Sequence, residues 1–142
     1  MPTPRVTRFC LIRHGETDWN SEKRIQGQID IDLNASGRAQ ARAVAASLVG
    51  QAFAAIYSSD LLRAWNTAQI AVTGRQIAVS PAPTLRERHF GVLQGVTSLE
   101  ASELHPDVHR HHKARTPDYD YETGESLLVF AARVMVGLEA IA

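Results

Sequence analysis

The stretch Val6-Thr7-Arg8-Phe9-Cys10-Leu11-Ile12-Arg13-His14-Gly15-Glu16-Thr17 decides how the rest of the chain is read. Its apolar and β-branched residues up to Ile12 predict a buried strand, after which Arg13-His14-Gly15 turns the chain into a loop. Open α/β sheets place their ligand sites at the carboxyl ends of strands, so this loop is the first candidate site. An imidazole with one unprotonated nitrogen can attack phosphorus, and Arg13 can hold a planar fork of donors against two phosphate oxygens. Gly15 lets the backbone pass close to the ring, where the second nitrogen can donate to a carbonyl and fix the tautomer. Taken alone the tripeptide is weak, because a histidine at a strand end is more often a hydrogen-bonded structural residue.

Downstream, Asn34-Ala-Ser36-Gly-Arg supplies a cap for a helix whose Ala41, Val44, Ala45 and Leu48 share one face, with Gly50 as its stop. Phe53 to Tyr57 predicts a second strand. Ser58-Ser59-Asp60 can cap a second helix with Leu61, Ala64, Trp65 and Ala68 as its apolar stripe, closed by Gly74. Ile77 to Ser80 predicts a third strand, ending at a Pro81-Ala-Pro83 turn. Strand, helix, strand, helix, strand with short links predicts a parallel sheet wrapped by helices. From Thr97 the pattern changes. Thr97-Ser-Leu-Glu100 can form a capping box, Pro106 interrupts a His- and Arg-rich run, and residues 96–123 read as an exposed, lid-like segment. Glu125-Ser126 opens a last helix carrying Leu127, Phe130, Ala131, Val134, Leu138 and Ile141 at helical spacing.

A chain of 142 residues with 44% hydrophobic content is the size of one globular domain, here residues 1–142. A formal net charge of +0 excludes a general attraction to nucleic acid or to an acidic membrane surface. The single cysteine, Cys10, lies in the apolar run, which predicts a buried thiol in a reducing compartment, by default the cytoplasm. Met1 to Ile12 carries basic residues, but its apolar run is too short for a signal peptide or a membrane span.

Two further motifs strengthen the first. Ser58-Ser59-Asp60-Leu-Leu-Arg63 puts a second arginine in the first turn of a helix, where free amides and the helix dipole also favour an anion. Leu85-Arg-Glu87-Arg-His-Phe90-Gly91 follows the third strand and offers Glu87 for proton transfer to a leaving oxygen. Read in order, Leu11-Ile-Arg13-His14-Gly15-Glu16-Thr17-Asp-Trp19-Asn20, Gly27 with Asp30 and Leu33-Asn-Ala-Ser-Gly37, Ser58-Ser59-Asp60-Leu-Leu-Arg63-Ala, Glu87-Arg-His-Phe90-Gly91 and Gly124-Glu125-Ser126 resemble the histidine phosphatase superfamily, the phosphoglycerate mutase-like proteins. The resemblance implies a three-layer α/β/α sandwich with a mostly parallel sheet and a phosphohistidine intermediate on His14. It implies a phosphate pocket built by Arg13, Arg63 and Asn20, and Glu87 as the proton donor and base. It implies no metal or cofactor, and a small phosphate ester as substrate.

The chain departs from the pattern in one respect. The family carries a second histidine in a His-Gly motif at the end of a later strand. The remaining histidines here are His89, His105, His109, His111 and His112, none of which follows an apolar strand. The chain is therefore expected to be a piece of a longer natural protein. A complete short form would need a strand swapped within a homodimer, an open sheet or a role without turnover. Only Val96 to Thr123 separates the Glu87 motif from Gly124-Glu125-Ser126, which favours an open site and hydrolysis of phosphomonoesters over phosphoglycerate mutase transfer. A module that binds phosphate without turnover is the alternative from a different class. The run His109-Arg110-His111-His112-Lys113 reads as a solvated helix face before it reads as an anion or metal site.

Overall fold

A computed structural model of the chain describes residue 1 and residues 6–142. The basic start read from Met1 to Ile12 thus falls partly outside the described residues. Helix α1 spans Asp18–Ser21 and α2 spans Ala35–Ser47. Asn34 caps α2 as the sequence predicts, its Oδ1 accepting from the Gly37 amide at 2.9 Å. That bond satisfies one of the amides a helix start leaves unpaired. Strand β1 (Ile56–Ser58), helix α3 (Leu62–Ala71) and strand β2 (Val79–Pro81) follow. The strands are parallel, Ile56 opposite Val79 and Ser58 opposite Pro81. The Ala82 amide carries the pairing one bond further, donating to the Ser58 carbonyl at 2.7 Å. Both strands lie further along the chain than their apolar runs suggest, because backbone pairing sets a strand's ends and a short apolar run does not encode it.

Residues 6–12 overturn an expectation. No ladder forms there, and Phe9, Leu11 and Ile12 are 46%, 80% and 44% exposed. Cys10 is exposed as well, not buried. An apolar strand is covered only where neighbouring strands and helices close over both faces. Here the segment runs along an open trough of about 850 Å³, lined also by β1, α3 and the inward face of α6 at Phe130, Val134 and Leu138. Among the described residues β1 pairs with β2 alone.

Helix α4 (Ser98–Leu104) starts with the predicted capping box: Thr97 Oγ1 accepts from the Glu100 amide at 3.2 Å, and Glu100 Oε2 accepts from the Thr97 amide at 2.8 Å. The chain breaks at His105, between α4 and α5 (Pro106–Ala114), and Pro106 takes the first helical position of α5, where its missing N–H costs nothing. Leu93, Ala101, Val108 and Tyr121 form a buried apolar cluster between these helices and the turns around them. Ser126 then caps α6 (Leu127–Ile141), accepting from the Val129 amide at 3.1 Å. Among the described residues no helix is long and apolar enough to cross a membrane.

Candidate active site

The loop after Ile12 is wedged between α2 and α3. A Cβ on Gly15 would overlap the Gly37 carbonyl, and one on Gly37 would overlap the carbonyl of Glu16, so both glycines serve close backbone approach. The Gly15 amide donates to Thr67 Oγ1 at 2.9 Å, and Thr67 Oγ1 donates to the Arg63 carbonyl at 2.6 Å. On the other side the Asn34 amide donates to the Glu16 carbonyl at 3.0 Å, and the Glu16 amide donates to Gln40 Oε1 at 2.8 Å. These bonds fix the backbone that follows His14.

His14 Nδ1 lies 2.7 Å from the carbonyl oxygen of Gly15. A carbonyl only accepts, so Nδ1 carries the proton and Nε2 keeps its lone pair. Burial lowers the pKa of His14, and the Arg63 and Arg13 guanidiniums lower it further. The Gly15 carbonyl and the Glu87 carboxylate work against them. The ring is therefore held neutral and one nitrogen is free to attack.

Arg63 is 1% exposed, although it is the second residue of α3. Its guanidinium donates to the Ile29 carbonyl at 3.0 Å and to the Gly27 carbonyl, which aims it from the helix toward the loop. Burial lowers its pKa as well, with Glu87 and Asp30 opposing, but a guanidinium stays protonated. The predicted cap of α3 is corrected. The Asp60 carboxylate turns instead to Arg86, whose Nε donates to Oδ1 at 2.6 Å. The Leu61 N-cap has no side-chain bond, and Asp30 Oδ1 reaches across to accept the Leu62 amide at 2.7 Å. A carboxylate distant in sequence thus does the work that the local Ser-Ser-Asp pattern suggests.

Asn20 closes a capping box around α1: its Oδ1 accepts from the Thr17 amide at 2.9 Å, while Thr17 Oγ1 accepts from the Asn20 amide at 3.2 Å. It also lines a cleft of about 220 Å³ with Arg13, His14, Gly15, Glu16 and Gln40. Arg13 and His14 line both this cleft and the larger trough, where Arg63 and Glu87 join them. Glu87 is exposed, and its Oε1 accepts from the Arg88 amide at 2.6 Å. All five predicted residues therefore border one of the two openings at His14.

Several residues at the site carry no individual role in the sequence. Thr67 stands one helical turn after Arg63, a spacing that puts both on one face. Gln94 Oε1 accepts from the Gln28 amide at 2.8 Å, beside Gly27 with its positive φ of 56°. Arg133, far along the chain, reaches the Glu87 carbonyl. Three of the histidines outside the Arg-His-Gly make local contacts of their own. His89 Nδ1 accepts from the Gly91 amide at 3.1 Å, His111 stacks on Tyr119, and His112 packs edge-on against Tyr121 and Phe90.

Residues 9–142 match the model of the Histidine phosphatase superfamily (branch 1). "Phosphoglycerate mutase-like protein 4" of Arabidopsis thaliana is 42% identical over 136 residues, 94% of this chain and 59% of its own length. "Metal-independent phosphoserine phosphatase" of the same plant is 44% identical over 140 residues, 96% of this chain and 59% of its own. The solved structure of "Bacillus stearothermophilus YhfR" matches with a TM-score of 0.85 at 35% identity, over 91% of this chain and 64% of that one. The chain thus spans 59% of the length of these two curated relatives. The helices around a parallel strand pair have the α/β fold of phosphoglycerate mutase-like proteins. On the family match over nearly its whole length, the chain belongs to branch 1 of the histidine phosphatase superfamily.

Proposed function

We propose that the protein is a phosphomonoester hydrolase acting on small phosphorylated metabolites, with His14 as the nucleophile. The reading rests on the 2.7 Å contact between His14 Nδ1 and the Gly15 carbonyl, which leaves Nε2 unprotonated beside two arginines. In the first step Nε2 forms a bond to phosphorus, the P–O bond to the alcohol breaks, and the Glu87 carboxylic acid gives its proton to the leaving oxygen. In the second, water attacks phosphorus, its proton goes to the Glu87 carboxylate, and the N–P bond breaks to release phosphate. Arg13, Arg63 and Asn20 hold the phosphoryl oxygens, and the arginines stabilise the charge of the transferring group.

Hydrolysis is preferred over mutase transfer because Glu87 is exposed, which leaves the phosphoenzyme open to water. The mutase-like name of one relative keeps the second reading in view. Incubation with 3-phosphoglycerate separates the two. Release of inorganic phosphate without the 2-isomer is expected, and accumulation of the 2-isomer overturns the preference for hydrolysis. Phosphate-dependent thermal stabilisation with no turnover would instead mark a binding module.

A further inference from the structure

We propose that Arg133 and Glu125 are positioning residues for Glu87, a role that rests on the reading of Glu87 as the proton donor. Glu87 sits in a stretch without regular structure, between the 3₁₀ turns Pro83–Leu85 and Gly91–Leu93. Such a stretch has no ladder to hold it, and a proton donor displaced by an ångström loses much of its effect. Arg133, on α6, supplies the missing bonds. Its guanidinium donates to the Thr84 carbonyl at 2.8 Å, the Arg86 carbonyl at 3.0 Å and the Glu87 carbonyl at 3.2 Å. The other edge of the same group is fixed by Glu125, which accepts from Nε at 2.7 Å and from a terminal nitrogen at 2.8 Å.

Glu125 closes the clamp from the far side. Its Oε2 accepts from the His89 amide at 2.9 Å, and its own amide donates to the His89 carbonyl at 2.8 Å. Carbonyls before Glu87 and an amide after it are therefore held by one ion pair, whose members are largely buried at 22% and 17% side-chain exposure. The pairing holds the Glu125 carboxyl below the usual carboxylate range, chiefly through the Arg133 bond. Arg133 is bonded to the backbone that carries Glu87 and not to its carboxylate. Its effect therefore appears in the steps where Glu87 gives or takes a proton, and not in a phosphoryl transfer whose leaving group needs no donor.

The test compares two substrates. The p-nitrophenolate of p-nitrophenyl phosphate leaves with little proton help, whereas the alkoxide of β-glycerophosphate needs a donor. Glu87→Gln is expected to lower kcat on β-glycerophosphate by about 10²-fold or more while the initial burst of p-nitrophenol is little changed. Arg133→Met is expected to follow the same pattern at about 10-fold, with KM unchanged. Arg133→Lys, which keeps the charge and loses the fork, is expected to fall between Arg133→Met and the parent, and it carries the comparison if the methionine variant does not fold. Equal losses in the β-glycerophosphate rate and in the p-nitrophenol burst rate, or no loss in either, would overturn the positioning role while leaving Glu87 in place. A Glu87→Gln variant without substrate selectivity would overturn the acid–base reading, and the role of Arg133 falls with it.

Discussion

His14→Ala is expected to lower turnover of p-nitrophenyl phosphate by at least about 10⁴-fold, since no other group can replace a removed nucleophile. The folded state should tolerate the change. His14 is half-buried and makes one bond, to the Gly15 carbonyl, so the cost is about 1 kcal/mol, a fall of about 3 °C in Tm. The loop itself is held by backbone bonds that the alanine keeps, Gly15 to Thr67 and Glu16 to Gln40. Calorimetry beside the kinetics separates lost chemistry from lost structure. Residual turnover within tenfold of the parent, with an unchanged melting curve, would remove His14 from the mechanism.

Arg63→Met is expected to lower kcat/KM by about 10²- to 10³-fold, the usual loss when a preorganised charge at the transferring group is removed. It should also move the pH profile. The Arg63 charge lowers the pKa of His14, so the parent's acid limb should lie below 6.5, the ordinary histidine value. Removing the positive charge makes the imidazole easier to protonate, so the limb should shift upward in the variant. Methionine leaves the Gly27 and Ile29 carbonyls without their donor, at about 1–3 kcal/mol for each buried acceptor. The profile must therefore be recorded well below the variant's own Tm. A loss in kcat/KM with no shift of the limb would mean that Arg63 supports the loop without contributing its charge to His14.

How legible this site was in the sequence depended on the range of the interactions that build it. Caps made within four residues were readable: Asn34 on Gly37, Thr97 with Glu100, and Ser126 on Val129 all stand as the pattern predicts. The cap of α3 was not, because Asp30 lies 32 residues from Leu62 and no local pattern connects them. The same holds for Arg133, whose charge in a mostly apolar helix has no evident partner until α6 packs beside the Pro83–Leu85 turn. Composition also misled at Val6 to Ile12. Apolar, β-branched content marks residues suited to a sheet interior, but whether they are covered depends on neighbours that their own sequence does not specify. At Pro106 the sequence was legible again, since the chain breaks before it at His105 and the proline starts the next helix.

The most direct test of the account is to mix the protein with p-nitrophenyl phosphate, quench it at alkaline pH within one turnover, and map the phosphorylated peptide by mass spectrometry. One phosphoryl group on His14, stable to alkali and lost in acid, is the predicted result. Turnover with the label on another residue, or with no covalent phosphoenzyme at any time, would contradict it.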